Sequence, residues 1–245
     1  TPRRVLTGRR VIRWVSNLGL VVLSGIAVPL VLPVASLAMA QMAVTRGWGL
    51  FNNYEWPHAL VFVLCVVALD FVIYVQHVLF HAVPALWKLH QVHHSDIDLD
   101  ATSGLRFHVI QIVLSMLVKL AAIVTLGPPV LAVLAFEVIL NGTALFNHAN
   151  IKLPLRVDAV LRLFVVTPDM HRVHHSVIRC ETDSNYGFNL SIWDRFCGTY
   201  CAQPREGHEG MTIGVNAFRE ERDQWLDRLL LQPFRNSPEK DKEAD

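Results

Sequence analysis

Nine of the 12 histidines in this 245-residue chain stand in positions whose spacing suits metal chemistry. His77-VLF-His81 is an HxxxH pair. His90-QV-His93-His94 and His171-RV-His174-His175 are two HxxHH triplets, and His148 stands alone between them. On a helix, residues three and four apart share a face, so each triplet turns its imidazoles one way and His77 and His81 project together. Imidazole is the commonest metal ligand near neutral pH, because it is largely unprotonated there. Nine imidazoles exceed what one ion accepts and suit two ions, each with a coordination position left open. A structural zinc takes four ligands and closes. A zinc hydrolase of the HExxH kind needs a glutamate between its histidines. The intervening residues here are Gln91-Val92 and Arg172-Val173. Iron, zinc, copper and nickel all accept such donors, so ligand type leaves the metal open.

These histidines need elements that bring them to one level. Hydrophobic residues make up 52% of the chain and charged residues 18%, and the apolar residues are bunched. Four membrane spans are predicted, at about 14–40, 58–80, 108–126 and 130–146, each near the ~20 residues a bilayer core needs. Pro29 and Pro33 interrupt the first, and Gly127-Pro128-Pro129 forces a turn between the last two. Residues 41–57 mix Trp, Tyr, Asn and Gly and read as an interfacial loop. Five arginines (Arg3, Arg4, Arg9, Arg10 and Arg13) precede the first span without an acid, which suits a cytoplasmic anchor better than a nucleic-acid arm. The apolar stretch after Trp14 is too long for the core of a cleaved signal peptide. With the N-terminus inside, residues 82–107 and everything after about 149 are also inside, and the latter segment holds 13 of the 22 Lys and Arg. The nine histidines then meet at one cytoplasmic boundary, with His58 and His208 remote from them. The expected fold is all-α: an integral membrane four-helix bundle under a cytoplasmic histidine-rich helical cap. Residues 1–235 form one catalytic domain and 236–245 a disordered tail. A helix over 153–166 is expected either to lie on the membrane or to be a buried helix of the cap, and a charged amphipathic helix is expected over 216–234. Cys65, Cys180, Cys197 and Cys201 are expected to be free thiols, since the last three fall in the cytoplasmic segment.

Three ionisable residues fall inside the spans, where charge is costly and usually faces the bundle interior. Asp70 and His81, His108 and Lys119, and Glu137 and His148 are each 11 residues apart. Three helical turns place each charge ~16 Å below the histidine layer, on its histidine's face. The expectation is a buried network in which Lys119 pairs with Asp70, Glu137 or both. Metal-bound imidazoles usually give their other N–H to a carboxylate or carbonyl. Asp169 and Asp183 are the candidates for that role among the acids flanking the triplets.

The motifs LDFVIYVQHVLFH, PALWKLHQVHHSDIDLDATSGLRFH, LFNHAN, TPDMHRVHHS and NYGFNLSIWDRFCGTY follow one another over roughly residues 65–205. In this order they resemble the fatty acid hydroxylase/sterol desaturase superfamily of membrane di-iron enzymes. The resemblance implies two iron ions, with zinc as a substitute in purified protein, and O2 as co-substrate. It further implies a lipid substrate taken from the membrane and a separate electron donor of ferredoxin or cytochrome b5 type with its reductase. It assigns metal binding to His77, His81, His90, His93, His94, His148, His171, His174 and His175. Two departures stand out. Many relatives have Arg where this chain has Val78, and many bacterial ones read HPxE where it has His108-Val109-Ile110-Gln111. The second leaves His108 open as a tenth ligand. The expected activity is hydroxylation of a lipid or sterol-like C–H bond. Desaturation on the same site, a zinc-dependent membrane hydrolase and a non-catalytic metal-binding protein are the alternatives.

Overall fold

The computed structural model describes residues 1–235. The chain is all-helical, with no strand among the described residues. Four helical segments are long and apolar enough to cross a bilayer. α1 (Arg10–Val31) and α2 (Ser36–Arg46) make up the first. Pro29 is accommodated inside α1, whereas the chain breaks at Pro33: Leu32, constrained by the proline after it, leaves the helical region with φ −126° and ψ 88°. α3 (His58–Ala82), α5 (Val109–Leu126) and α6 (Val130–His148) are the other three. Between α3 and α5 lies α4 (Pro84–His94), started by a proline whose missing N–H costs nothing in the first turn. α5 ends on Gly127 in the left-handed conformation (φ 67°), which returns its N–H to the Ile123 carbonyl, and the two prolines that follow start α6.

α5 packs against α1, α2 and α3, and α6 against α3 and α2. The core where they meet holds Leu69 and Ile73 of α3, Ile123 of α5, Val133 and Phe136 of α6, and Ala40 of α2. Large aliphatic side chains such as Val22, Ile26, Val63, Leu117 and Val138 stay exposed on the outer faces, as expected for helices solvated by lipid. A 3-10 turn at Ala101–Leu105, capped by Asp100, lies over α6 and α1. Gly104 makes this approach close: a Cβ there would sit 2.6 Å from the Ala144 carbonyl oxygen and 3.0 Å from His148 Nδ1.

The cap departs from its predicted form in two places. Only Leu155–Leu161 (α7) of the expected helix 153–166 is helical. The expected helix over 216–234 is instead a 3-10 turn at Glu221–Gln224, the short helix Leu226–Leu231 and a second 3-10 turn at Gln232–Phe234. Trp225 and Pro233 stand at the joints, and an extended Trp225 lets Leu229 turn into a core with Leu20 and Val92. The remaining cap helices that matter here are α8 (Pro168–His174), α9 (Arg179–Thr182) and α10 (Ile192–Phe196). The expected tail at 236–245 lies outside the described residues.

Candidate metal centre

The nine histidines come from four helices and their ends. His77 and His81 close α3, His90, His93 and His94 end α4, His148 closes α6, and His171, His174 and His175 end α8. All nine are buried. They sort into two sets. In one, ligand atoms of His77, His81, His90, His94 and His174 lie within 4.8 Å of one another, and in the other so do those of His93, His148, His171 and His175. Each triplet therefore feeds both sets: α4 sends its i and i+4 histidines to the first and i+3 to the second, and α8 does the reverse. The sets adjoin, with the rings of His94 and His175 stacked at 4.5 Å.

Several ring nitrogens converge in pairs at close range. His77 Nε2 lies 3.0 Å from His90 Nε2, His148 Nε2 lies 3.0 Å from His171 Nε2 and 3.2 Å from His93 Nε2, and His175 Nε2 lies 3.2 Å from His171 Nε2. Neighbouring ligands around one ion with bonds of ~2.1 Å stand ~3.0–3.4 Å apart, so these spacings suit a shared metal. Nε2 of His81, His94 and His174 is buried without a protein partner. Burial holds His90, His93, His94, His171, His174 and His175 well below the usual histidine pKa, and the neighbouring imidazoles push the same way. A crowd of neutral imidazoles with converging lone pairs is the form a metal binds.

The opposite ring nitrogens show how the set is aimed. Nδ1 of His77, His148 and His174 each lies 2.7 Å from a backbone carbonyl, of Tyr186, Ala144 and Ser184 respectively. His81 Nδ1 lies 3.2 Å from Asp183 Oδ1. His90 Nδ1 lies 2.9 Å from the Gln111 amide. A metal on Nε2 of His90 would leave the ring proton on Nδ1 and call for the Gln111 oxygen there. A half-turn of the amide would supply it and give a partner to Oε1, which is buried without one. Gln111 is thus a positioning residue that the sequence showed only as a departure from HPxE.

Other predicted residues fall elsewhere. His108 belongs to neither set: its Nδ1 accepts from Ile110 N and caps α5, leaving Nε2–H to donate to the Leu230 carbonyl at 3.2 Å. Asp169 holds no cluster histidine. Its carboxylate is taken by Arg3 and Arg172, and the imidazole near it is that of His208, 3.7 Å away. Lys119 pairs with Glu137 at 2.9 Å, and Ser36 donates to the same carboxylate. Asp70 stands apart from this pair, because it accepts from Leu190 N and from Trp193 Nε1 at 2.8 Å. The segment around α10 therefore does not rest on top of the bundle. It reaches down along α3, where Tyr74 also bonds Thr199, and along α6, where Thr143 donates to the Asn189 side chain and Asn147 to the Phe188 carbonyl. Asp96, Asp98 and Asp100, next to the first triplet, surround Arg13 instead of an imidazole.

A cavity of about 500 Å³ opens directly beneath His77 and His90. Ile73, Phe80, Phe107 and Phe188 wall it near the histidines, and it descends between α1, α3, α5 and α6 to Lys119 and Glu137. That volume is typical of a small-molecule site.

The sequence profile of the family described as Fatty acid hydroxylase matches residues 62–199. Among curated proteins, the chain is 32% identical to ornithine lipid hydroxylase OlsE of Rhizobium tropici, over 71% of this chain and 51% of that protein. It is 31% identical to human alkylglycerol monooxygenase over 68% of this chain and 36% of the relative. The very-long-chain aldehyde decarbonylase GL1-1 of Oryza sativa is 29% identical over 66% of this chain and 27% of its own length. The chain thus spans about half the length of the first of these relatives and less of the others. No solved structure matches it. The profile covers every one of the nine clustered histidines, and the chain belongs to the fatty acid hydroxylase family.

Proposed function

We propose that this chain is a membrane di-iron oxygenase that hydroxylates a C–H bond of a polar-headed lipid, using O2 and electrons from a separate ferredoxin- or cytochrome b5-type donor. The observation that carries the reading is the division of nine buried imidazoles into sets of five and four at the roof of a largely apolar cavity. His77, His81, His90, His94 and His174 would hold one iron, and His93, His148, His171 and His175 the other. When bound, the two irons supply the O2-activating redox chemistry that no side chain possesses. The protein's own part is to aim the imidazoles through the Tyr186, Ser184 and Ala144 carbonyls, Asp183 and Gln111, and to exclude water with Phe107 and Phe188. The cavity holds the lipid chain against His77 and His90. The relatives named for lipid hydroxylation and alkylglycerol oxidation support a lipid substrate. The arginine-rich start and the basic cap support a cytoplasmic site.

Anaerobic purification followed by metal analysis and O2-electrode measurements tests this. About two irons per chain and reductant-dependent O2 uptake are expected. Stoichiometric zinc with turnover that ignores O2 would overturn it. Zinc in aerobically purified protein has no such force, because imidazole-rich sites exchange these metals readily.

A further inference from the structure

The far end of the cavity is built for something other than a plain hydrocarbon. Lys119, buried on α5, gives two hydrogen bonds to the Glu137 carboxylate, at 2.9 and 3.0 Å, and Ser36 gives that carboxylate a third at 2.8 Å. Both Lys119 and Glu137 line the cavity. The lining carries more polar groups: Ser24 Oγ and Gln76 Oε1, both buried without a partner, and Ser115, which accepts from Gln76. Charged and polar groups at membrane depth are costly, and where retained they mark substrate paths. Replacing a buried ion pair by hydrophobic side chains is often neutral or stabilising, so stability alone gives little reason to keep this one.

We propose that the cavity recognises a lipid chain bearing a neutral donor–acceptor group, such as a hydroxyl, that seats on the Lys119–Glu137 pair while a carbon about ten positions away lies under the histidines. The choice of a neutral group follows from charge. The pair sums to zero, so a carboxylate or an ammonium would bring an uncompensated charge to membrane depth. A hydroxyl can donate to Glu137 and accept the third ammonium proton of Lys119, whereas an alkyl terminus would only displace water from the pair. The distance follows from α5: from Gln111, beside His90, to Lys119 the helix descends ~12 Å. With C–C bonds of about 1.5 Å, an extended chain advances roughly 1.25 Å per carbon, so that depth holds about ten. Entry is lateral. α1 packs on α5 and α6 packs on α3, but α1 and α6 share no extensive contact. The cavity reaches that gap at Gly25, where an added Cβ would meet nothing within 4 Å.

This rests on the cavity being the substrate site of the proposed oxygenase, but its test is a binding measurement that needs neither iron turnover nor an electron donor. The wild-type chain in nanodiscs is titrated with n-alkanes and with α,ω-alkanediols of about eight to sixteen carbons. Binding of diols is expected to peak at about ten to twelve carbons, whereas alkane binding, with no hydroxyl to seat on the pair, rises steadily with length. In the Lys119→Met/Glu137→Leu variant, the diol peak should fall about tenfold and the alkanes should be unchanged or tighter. Diols that show no length optimum in the wild type, or the same optimum in the variant, would overturn the proposal. The wild-type series decides even if the variant fails to fold. An O2-uptake failure alongside a diol optimum would indict the oxygenase reading and spare this one.

Discussion

Gln111 is the residue whose role changed most between sequence and structure. The sequence presents it as a lost glutamate; the structure places its amide 2.9 Å from His90 Nδ1. Groups that hold metal-bound imidazoles typically matter 10–100-fold for affinity or activity. Gln111→Leu is therefore expected to lower iron content or turnover by about one to two orders of magnitude, while Gln111→Glu, which keeps an acceptor, retains most of both. Iron per chain and O2 uptake measured on the two variants decide it. Asp96 makes a second case. It is fully buried against Arg13, with bonds of 2.6 and 2.9 Å, and Arg106 stands nearby. Burial alone would raise its pKa, but the two guanidiniums outweigh that and hold the carboxyl below its usual range. A depressed folded pKa means stability that is fully present above the ordinary carboxylate pKa and is lost as pH falls through the lower folded value. The melting temperature in detergent should thus hold steady from neutrality to about pH 4 and fall below it. Arg13→Met, which strands Asp96, should cost ~3–5 kcal/mol at neutral pH, read as a large drop in the same melt.

At the scale of elements, the spans were legible because each is a long apolar run between clear breakers. Helices predicted at 58–80, 108–126 and 130–146 are found at His58–Ala82, Val109–Leu126 and Val130–His148. The split of the histidines into five and four was not legible. Each triplet shares one helix face, and only the angle at which α4 and α8 approach decides which imidazole leans toward which set. Of the two acids expected as partners of Lys119, Glu137 takes that place; Asp70 does not, because Trp193 reaches it from more than a hundred residues away and nothing local to α3 announces this. Contacts between turns were equally hidden. Gly49 (φ 90°) crosses Gly127 (φ 67°) so closely that a Cβ on the former would lie 2.2 Å from the Gly127 nitrogen. This crossing fixes the end of the first span against the α5–α6 turn. Gly127→Ala is expected to destabilise by at least ~1–2 kcal/mol from the left-handed backbone alone, with more from the crowding at Asn52. Thermal unfolding measures this, and an unchanged melt would mean that the crossing relaxes freely.

The whole molecule presents one apolar surface that extends past the bundle into the cap. Leu155, Val160, Leu163 and Phe164 of α7 and the chain after it are exposed, as are Ile192 and Phe196 of α10. An isolated bridge pairs Val165 with Leu190, which draws these two segments together. Asp70 ties α10 to α3 below the histidine level, so this exposed apolar patch adjoins the spanning helices, as an interfacial surface would. Cys180 is exposed at the start of α9, whereas Cys65 is buried in the bundle and Cys197 adjoins Phe196 on the apolar patch. Cys180 therefore reports which side of the membrane the cap occupies. With Cys65, Cys197 and Cys201 changed to serine, a membrane-impermeant maleimide should label Cys180 in inside-out vesicles and leave it unmodified in sealed right-side-out vesicles until detergent is added. Labelling in the right-side-out vesicles would place the histidine centre outside. It would also mean that the five N-terminal arginines are held by the cap, through Arg3 with Asp169 and Arg13 with Asp96, instead of by the positive-inside preference.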